Sequence, residues 1–147
     1  MKRKYFPDGE RNTVDTRRIL NTPEKIEKYM RPMFCMEPQE EFRILTLDTR
    51  MRPIESHLVS RGTCDKTEVP IRDIFMHALA DGAYGIVVAH SHPSGDVEPS
   101  SEDVLATRKL RMAAKVLGIR LFDHLILGTS QNVEMNGFAS LASRGVI

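Results

Sequence analysis

Tyr84 to Asp103 reads YGIVVAHSHPSGDVEPSSED. Its first part, ending at His90, is a short, continuously apolar run of the kind buried on both faces at the centre of a sheet. His92 lies just beyond that strand end. A loop rich in Pro, Ser and Gly turns the chain. Ser100 then opens a long helical pattern, SSEDVLATRKLRMAAKVLGI, with Leu110, Ala113, Ala114 and Leu117 marking its inner face and Gly118 its end. The segment RLFDHLILG that follows is another strand. Strand, helix, strand around an apolar centre points to one mixed sheet flanked by helices.

Upstream, TPEKIEKYMRPMF starts as a helix with Thr22 as N-cap, Pro23 at its first position and Ile26, Tyr29 and Met30 on one face. EEFRILTLDT reads as a strand, DTRMRP as a turn and IESHLVSRG as a second strand of a hairpin. Alternation there sets Ile54 and Leu58 on one side and Glu55, His57 and Val59 on the other. PIRDIFMHALADG is a helix with Ile71, Ile74, Phe75, Ala78 and Leu79 as its apolar stripe and Gly82 as its stop. Downstream, NVEMNG is expected as the hairpin partner of RLFDHLILG, with FASLASRGVI as a helical or irregular close. The fold class is mixed α/β (α+β), a single three-layer-like domain over residues 22–147 preceded by an N-terminal extension, residues 1–21.

The 147-residue chain is one domain's worth, 41% hydrophobic and 28% charged, with a formal net charge of +1. Such a balance gives no global attraction to nucleic acid or membrane. The extension has a modest basic excess, read as a solvated surface segment. Cys35 and Cys64 stand far apart without a CxxC, which fits neither a disulfide framework nor a thiolate zinc finger. No apolar run approaches the roughly 18 residues of a membrane span, and MKRKYFPDGE is not a secretory signal. The expected location is cytoplasmic.

Chemistry concentrates after the central strand. Residues two apart in an extended chain point the same way, so His90 and His92 reach one point. Asp103 lies in the first turn of the helix that folds back over the strand end. Two neutral imidazoles and one carboxylate with a position left for water form a catalytic zinc arrangement, whereas structural zinc sites are closed and mostly cysteine-based. The ion lowers the pKa of its water to near 7, and a carboxylate outside the ligand set must then move the proton. Glu55, on the neighbouring strand, is the best candidate for this base, with Glu98 and Glu102 beside the loop as alternatives. Each feature also has an ordinary reading. Ser100 and Asp103 match a capping box, the glycine of PSG suits a turn, and His57, His77 and His124 read as core or surface histidines.

Taken together, His90-Ser-His92, seven residues, Ser100, two residues and Asp103 follow the pattern of the JAMM metalloproteases, also called JAB or MPN+ domains. The chain resembles their RadC branch in AHSHPSGD, PSSED, TRKL, LDT, RGT and the closing LFDHLILG, over roughly residues 22 to 147. The resemblance implies a cytidine-deaminase-like JAB/MPN architecture and one Zn²⁺ held by His90, His92 and Asp103. It further implies Glu55 as catalytic glutamate and Ser100 as a stabiliser of the oxyanion. The expected function is zinc-dependent hydrolysis of a peptide or isopeptide bond, the substrate lying extended along the open edge of the sheet. RadC-like proteins usually carry a helix-hairpin-helix segment ahead of this domain. The extension here is read as too short for one, so nucleic acid is a weaker partner than peptide. HSH also stands where the branch commonly has HNH. The competing functions are a DNA-associated repair protein or metal-dependent nuclease, a non-catalytic MPN scaffold, and an Fe²⁺ oxygenase using the same ligand set.

Overall fold

A computed structural model of the chain describes residues 15–34, 38–62, 69–132 and 136–147. Cys35, Cys64 and most of the N-terminal extension lie outside the described residues. Helix α1 spans Pro23–Met30 and ends in a 3-10 turn, Arg31–Met33; Thr22 caps it through the Lys25 amide. Strands β1 (Glu41–Leu47) and β2 (Pro53–Arg61) follow, then helix α2 (Ile71–Ala80), strand β3 (Gly85–His92), helix α3 (Ser101–Leu117) and strands β4 (Arg120–Gly128) and β5 (Phe138–Ser140).

The strands form one sheet in the order β2-β1-β3-β4-β5. β1 pairs antiparallel with both β2 and β3, β3 runs parallel to β4, and β5 closes antiparallel on β4. The parallel pair needs a crossover, and α3 provides it. Its ends are written into the sequence: Ser100 forms a capping box with Asp103, and Gly118 takes the left-handed conformation at φ 69° that terminates the helix.

Period-2 alternation divides the core between the two faces of the sheet. Leu45, Leu47, Val87, Ala89, Leu125 and Leu127 pack against Ile26 and Met30 of α1. Ile44, Ile86 and Val88 pack on the other side against Ile74 and Phe75 of α2 and Leu110 and Ala114 of α3. A layer of helix thus covers each face, as a sheet apolar on both sides requires.

Four details differ from the sequence reading. β3 runs two residues further, through His92. The partner of β4 is Phe138–Ser140 rather than NVEMNG, of which residues 133–135 lie outside the described set. Leu79 and Leu117, assigned to inner faces, are 57% and 44% exposed, because both sit in the last turn of a helix as it leaves the sheet. Leu20, assigned to the extension, is buried, and its amide donates to the Met51 carbonyl. No described helix is long and apolar enough to cross a membrane.

Candidate metal centre

Ile86 and Val88 of β3 face α2 and α3, and His90 and His92 continue that row. They occupy the next two positions of a core face, at the point where the strand leaves the core. Gly95 donates its amide to the His92 carbonyl at 3.0 Å, turning the chain. The α3 capping box then sets Asp103. Its amide donates to Ser100 Oγ at 3.1 Å, and its Oδ2 accepts from the Ser100 amide at 2.9 Å. Asp103 Oδ1 lies 3.2 Å from His90 Nε2, and Oδ2 lies 3.7 Å from His92 Nε2. The two Nε2 atoms are 2.9 Å apart. The ligand atoms of His90, His92 and Asp103 all lie within 4.8 Å of one another, a group that could hold a metal ion.

The far side of each ring explains why these atoms suit a cation. His92 Nδ1 lies 2.7 Å from the Asp96 carbonyl, which can only accept, so Nδ1 carries the ring proton and Nε2 keeps its lone pair. His90 Nδ1 lies 2.8 Å from Nε2 of His124, a residue of β4 with no solvent exposure. With its Nδ1 proton turned toward His124, His90 too would aim an electron pair at the point where His92 Nε2 and the Asp103 carboxylate converge. Three converging acceptors repel unless a cation stands among them.

Burial alone would raise the Asp103 carboxyl. Positive charge beside Oδ1, at His90 Nε2 or on a cation held there, outweighs it with the help of the Ser100 amide and hydroxyl and keeps the group well below the usual carboxylate range. Full burial pushes His124 well below the ordinary imidazole value, and the neighbouring His90 adds to the effect. His124 is therefore neutral at physiological pH. Phe42 of β1 stacks on His90, the rings 5.8 Å apart and 9° from parallel, which fixes the imidazole plane.

The group opens into a cleft of about 650 Å³ lined by Glu40, Phe42, Ser60, Gly62, Ser100 and Glu102 among others. The structure does not bring Glu55 there. β1 registers Phe42 against His90 in β3, whereas Glu55 of β2 sits opposite Thr46, whose β3 partner is Ile86. Four strand positions separate the two levels, about 13 Å. Of the alternatives, Glu98 pairs with Arg144 at 2.9 Å and is not among the cleft residues. Glu102 borders the cleft but is exposed, and its carboxyl is lowered by backbone and serine hydrogen bonds.

The sequence reading missed Glu40. It borders the cleft, is half-buried, and its carbonyl accepts from the Gly62 amide at 2.9 Å, which pins the open end of the hairpin. Lying two residues before Phe42, it belongs to the face that carries His90. The signal was strand direction: an antiparallel neighbour of β3 brings its N-terminal end to the C-terminal end of β3. Glu41 belongs to the opposite face, where it pairs with Arg43 at 3.0 Å and Arg61 at 3.2 Å. Ser100, exposed at the cleft rim, stands where the sequence reading set it.

A family model described as the RadC-like JAB domain matches residues 20–146. Among curated relatives, a UPF0758 protein of Cyanothece sp. is 43% identical over 110 residues, covering 75% of this chain and 45% of that protein. A UPF0758 protein of Staphylococcus carnosus is 34% identical over 134 residues, covering 91% of this chain and 57% of its own length. One from Thermotoga maritima is 36% identical over 126 residues, covering 86% and 54%. The chain spans a little over half the length of most of the curated relatives it matches.

Proposed function

The chain belongs to the RadC-like JAB domain family, and on that premise we propose that it is a zinc-dependent hydrolase of peptide or isopeptide bonds. The observation that carries this reading is the convergence of His90 Nε2, His92 Nε2 and Asp103 at one point beside an open cleft. Two histidines and one carboxylate leave coordination positions open, which is the design of a catalytic rather than a structural zinc site. When bound, zinc supplies Lewis acidity and a nucleophile at neutral pH.

The remaining work falls to this chain's side chains. Glu40 takes the role the sequence reading gave to Glu55. Glu40 borders the cleft, and its carboxylate would accept a proton and return it to the leaving nitrogen. Ser100 Oγ accepts from the Asp103 amide, and its own proton, released from the Asp103 carboxylate, would turn to the developing oxyanion. Ser60 and Gly62 at the end of β2 border the same cleft, and β2 is the outermost strand beside it. An extended peptide added along that strand would lead its scissile bond to the site. The substrate class is thus peptidic, with the cytoplasm the proposed compartment.

Glu40→Gln and Glu55→Gln separate the assignments. Glu40→Gln should keep its zinc and lose on the order of 10²–10⁴ in turnover of a fluorogenic isopeptide. Glu55→Gln should turn over as the unsubstituted protein does. Full activity in Glu40→Gln would overturn the role of Glu40. A zinc-loaded protein that cleaves no member of a peptide and isopeptide library, yet nicks DNA, would overturn the substrate class.

A further inference from the structure

His124, read from sequence as an ordinary core or surface histidine, has both ring nitrogens in contact with polar partners although it is completely buried. Its Nδ1 lies 2.7 Å from Thr107 Oγ1, and its Nε2 lies 2.8 Å from His90 Nδ1. Thr107 is also fully buried and stands one turn after Asp103 on α3, with its Oγ1 2.7 Å from the Asp103 carbonyl oxygen. We infer that Thr107 and His124 are positioning residues that force His90 into its Nδ1–H form, so that its Nε2 electron pair faces the metal position.

Counting protons fixes the form of each ring. Two oxygens 2.7 Å apart need a hydrogen between them. A carbonyl cannot supply one, so the Thr107 hydroxyl proton points at the Asp103 carbonyl. That leaves Thr107 Oγ1 only lone pairs toward His124, and the 2.7 Å contact requires His124 Nδ1 to carry the hydrogen. A neutral imidazole has one such hydrogen, so His124 Nε2 is bare and accepts from His90 Nδ1. His90 Nε2 is then bare in turn. The chain runs Asp103 carbonyl, Thr107, His124, His90, with every step inside the protein. The same turn of α3 therefore delivers one ligand, Asp103, and sets the protonation pattern of another. His92 reaches the same state more simply, through the Asp96 carbonyl. A metal-bound histidine ordinarily gives its second N–H to a carboxylate, carbonyl or water; here a second histidine and a hydroxyl replace that acceptor.

The inference rests on the metal reading proposed above, and its test separates the two. Long-range ¹H–¹⁵N NMR of the metal-free full chain reports the tautomer of each histidine, and competition with a chromogenic chelator reports zinc affinity. In the unsubstituted protein, His90 and His124 should both carry hydrogen at Nδ1. Thr107→Val matches threonine in shape and removes the relay's first link. It should move both rings toward the Nε2–H form and weaken zinc binding by about ten- to a hundredfold. Thr107→Ser should restore both readouts. Thr107→Ala repeats the test without a β-branch should the valine variant fail to fold. Thr46→Val removes a threonine hydroxyl bonded to the Asp81 carboxylate, outside the relay, and should change neither readout. An unaltered His90 tautomer in both Thr107→Val and Thr107→Ala overturns the inference. Failure of the unsubstituted protein to bind zinc overturns the metal reading instead, and the tautomers alone then decide the relay.

Discussion

His90, His92 and Asp103 meet at one end of the sheet, backed by His124 and Thr107. Along the same face of β1, His57, His77 and Asp81 meet around Thr46. Both clusters contain histidines, an aspartate and a threonine hydroxyl, yet they are wired differently. Asp81 Oδ2 lies 2.7 Å from His57 Nε2 and 2.8 Å from the Thr46 hydroxyl, so its charge is already answered by donors. The His57 and His77 rings stack at 4.0 Å and 28°, which covers faces rather than directing electron pairs. In the first cluster every ring proton whose position is set points away from the centre, toward Asp96 or His124. Residue types alone do not distinguish a ligand cage from a structural ion pair. The positions of the ring protons do.

The two clusters should differ most in whether they retain a metal. His92→Ala removes one of three donors and should leave zinc content at background after dialysis. His57→Ala should retain as much zinc as the unsubstituted protein. Zinc at a thousandfold excess over its Kd stabilises a fold that alone binds it by about 4 kcal/mol. The zinc-induced rise in Tm should therefore persist in His57→Ala and vanish in His92→Ala. An equal rise in His92→Ala would mean the ion sits elsewhere.

Acid should act on the second cluster more gently. Burial, and then the charge of His57, lower His77 to about 4, with Asp81 and Asp73 opposing. A histidine with a folded pKa below its unfolded value of about 6.5 binds its proton more readily once unfolded. Stability is then fullest above about pH 6.5, declines as pH falls toward 4, and levels below that. The whole gap corresponds to about 3 kcal/mol, and partial solvent contact reduces the expected loss to roughly 1–2 kcal/mol. Asp81, held below the ordinary carboxylate value by His57 and Thr46 against its own desolvation, loses its contribution only at still lower pH. His77→Phe preserves a ring for the stack on His57. Denaturant unfolding from pH 7 to 4 should show a shallower decline in that variant, and an identical decline would remove His77 as the cause.

The two clusters also show which parts of the structure were legible in sequence. His90, His92 and Asp103 could be read because local rules place them: alternation within one strand, a turn, and a capped helix start. Glu55 could not be located in the same way. The sequence identifies β2 as a neighbouring strand, but register sets the level at which its residues stand, and register arises from pairing across the sheet. Irregular pairing near both ends of β2 shifts that register further. Glu55 consequently falls beside the second cluster, where its amide donates to Thr46 Oγ1 at 3.1 Å. His124 was hidden for a related reason. Its partners come from α3 and β3, and nothing local in LFDHLILG announces them. Leu79 and Leu117 show the limit of helical periodicity, which assigns a face but not the point at which that face runs past the sheet.

The smallest expected effect separates stability from metal binding within the first cluster. The side chain of Ser100 caps α3, whereas α2, beside the second cluster, starts at Pro70 without a side-chain cap. Ser100→Ala should cost about 1 kcal/mol of stability, and Ser100→Gly only a few tenths, because glycine lets water reach the exposed amides. The hydrogen bond that orients the Asp103 carboxylate comes from the Ser100 backbone amide, which both substitutions retain. Zinc affinity should therefore stay nearly constant while Tm falls, the reverse of Thr107→Val, whose loss is in affinity. Chelator competition and thermal unfolding on the same Ser100→Ala sample decide it. A large fall in affinity would show that the serine hydroxyl, and not the backbone, holds the aspartate in place.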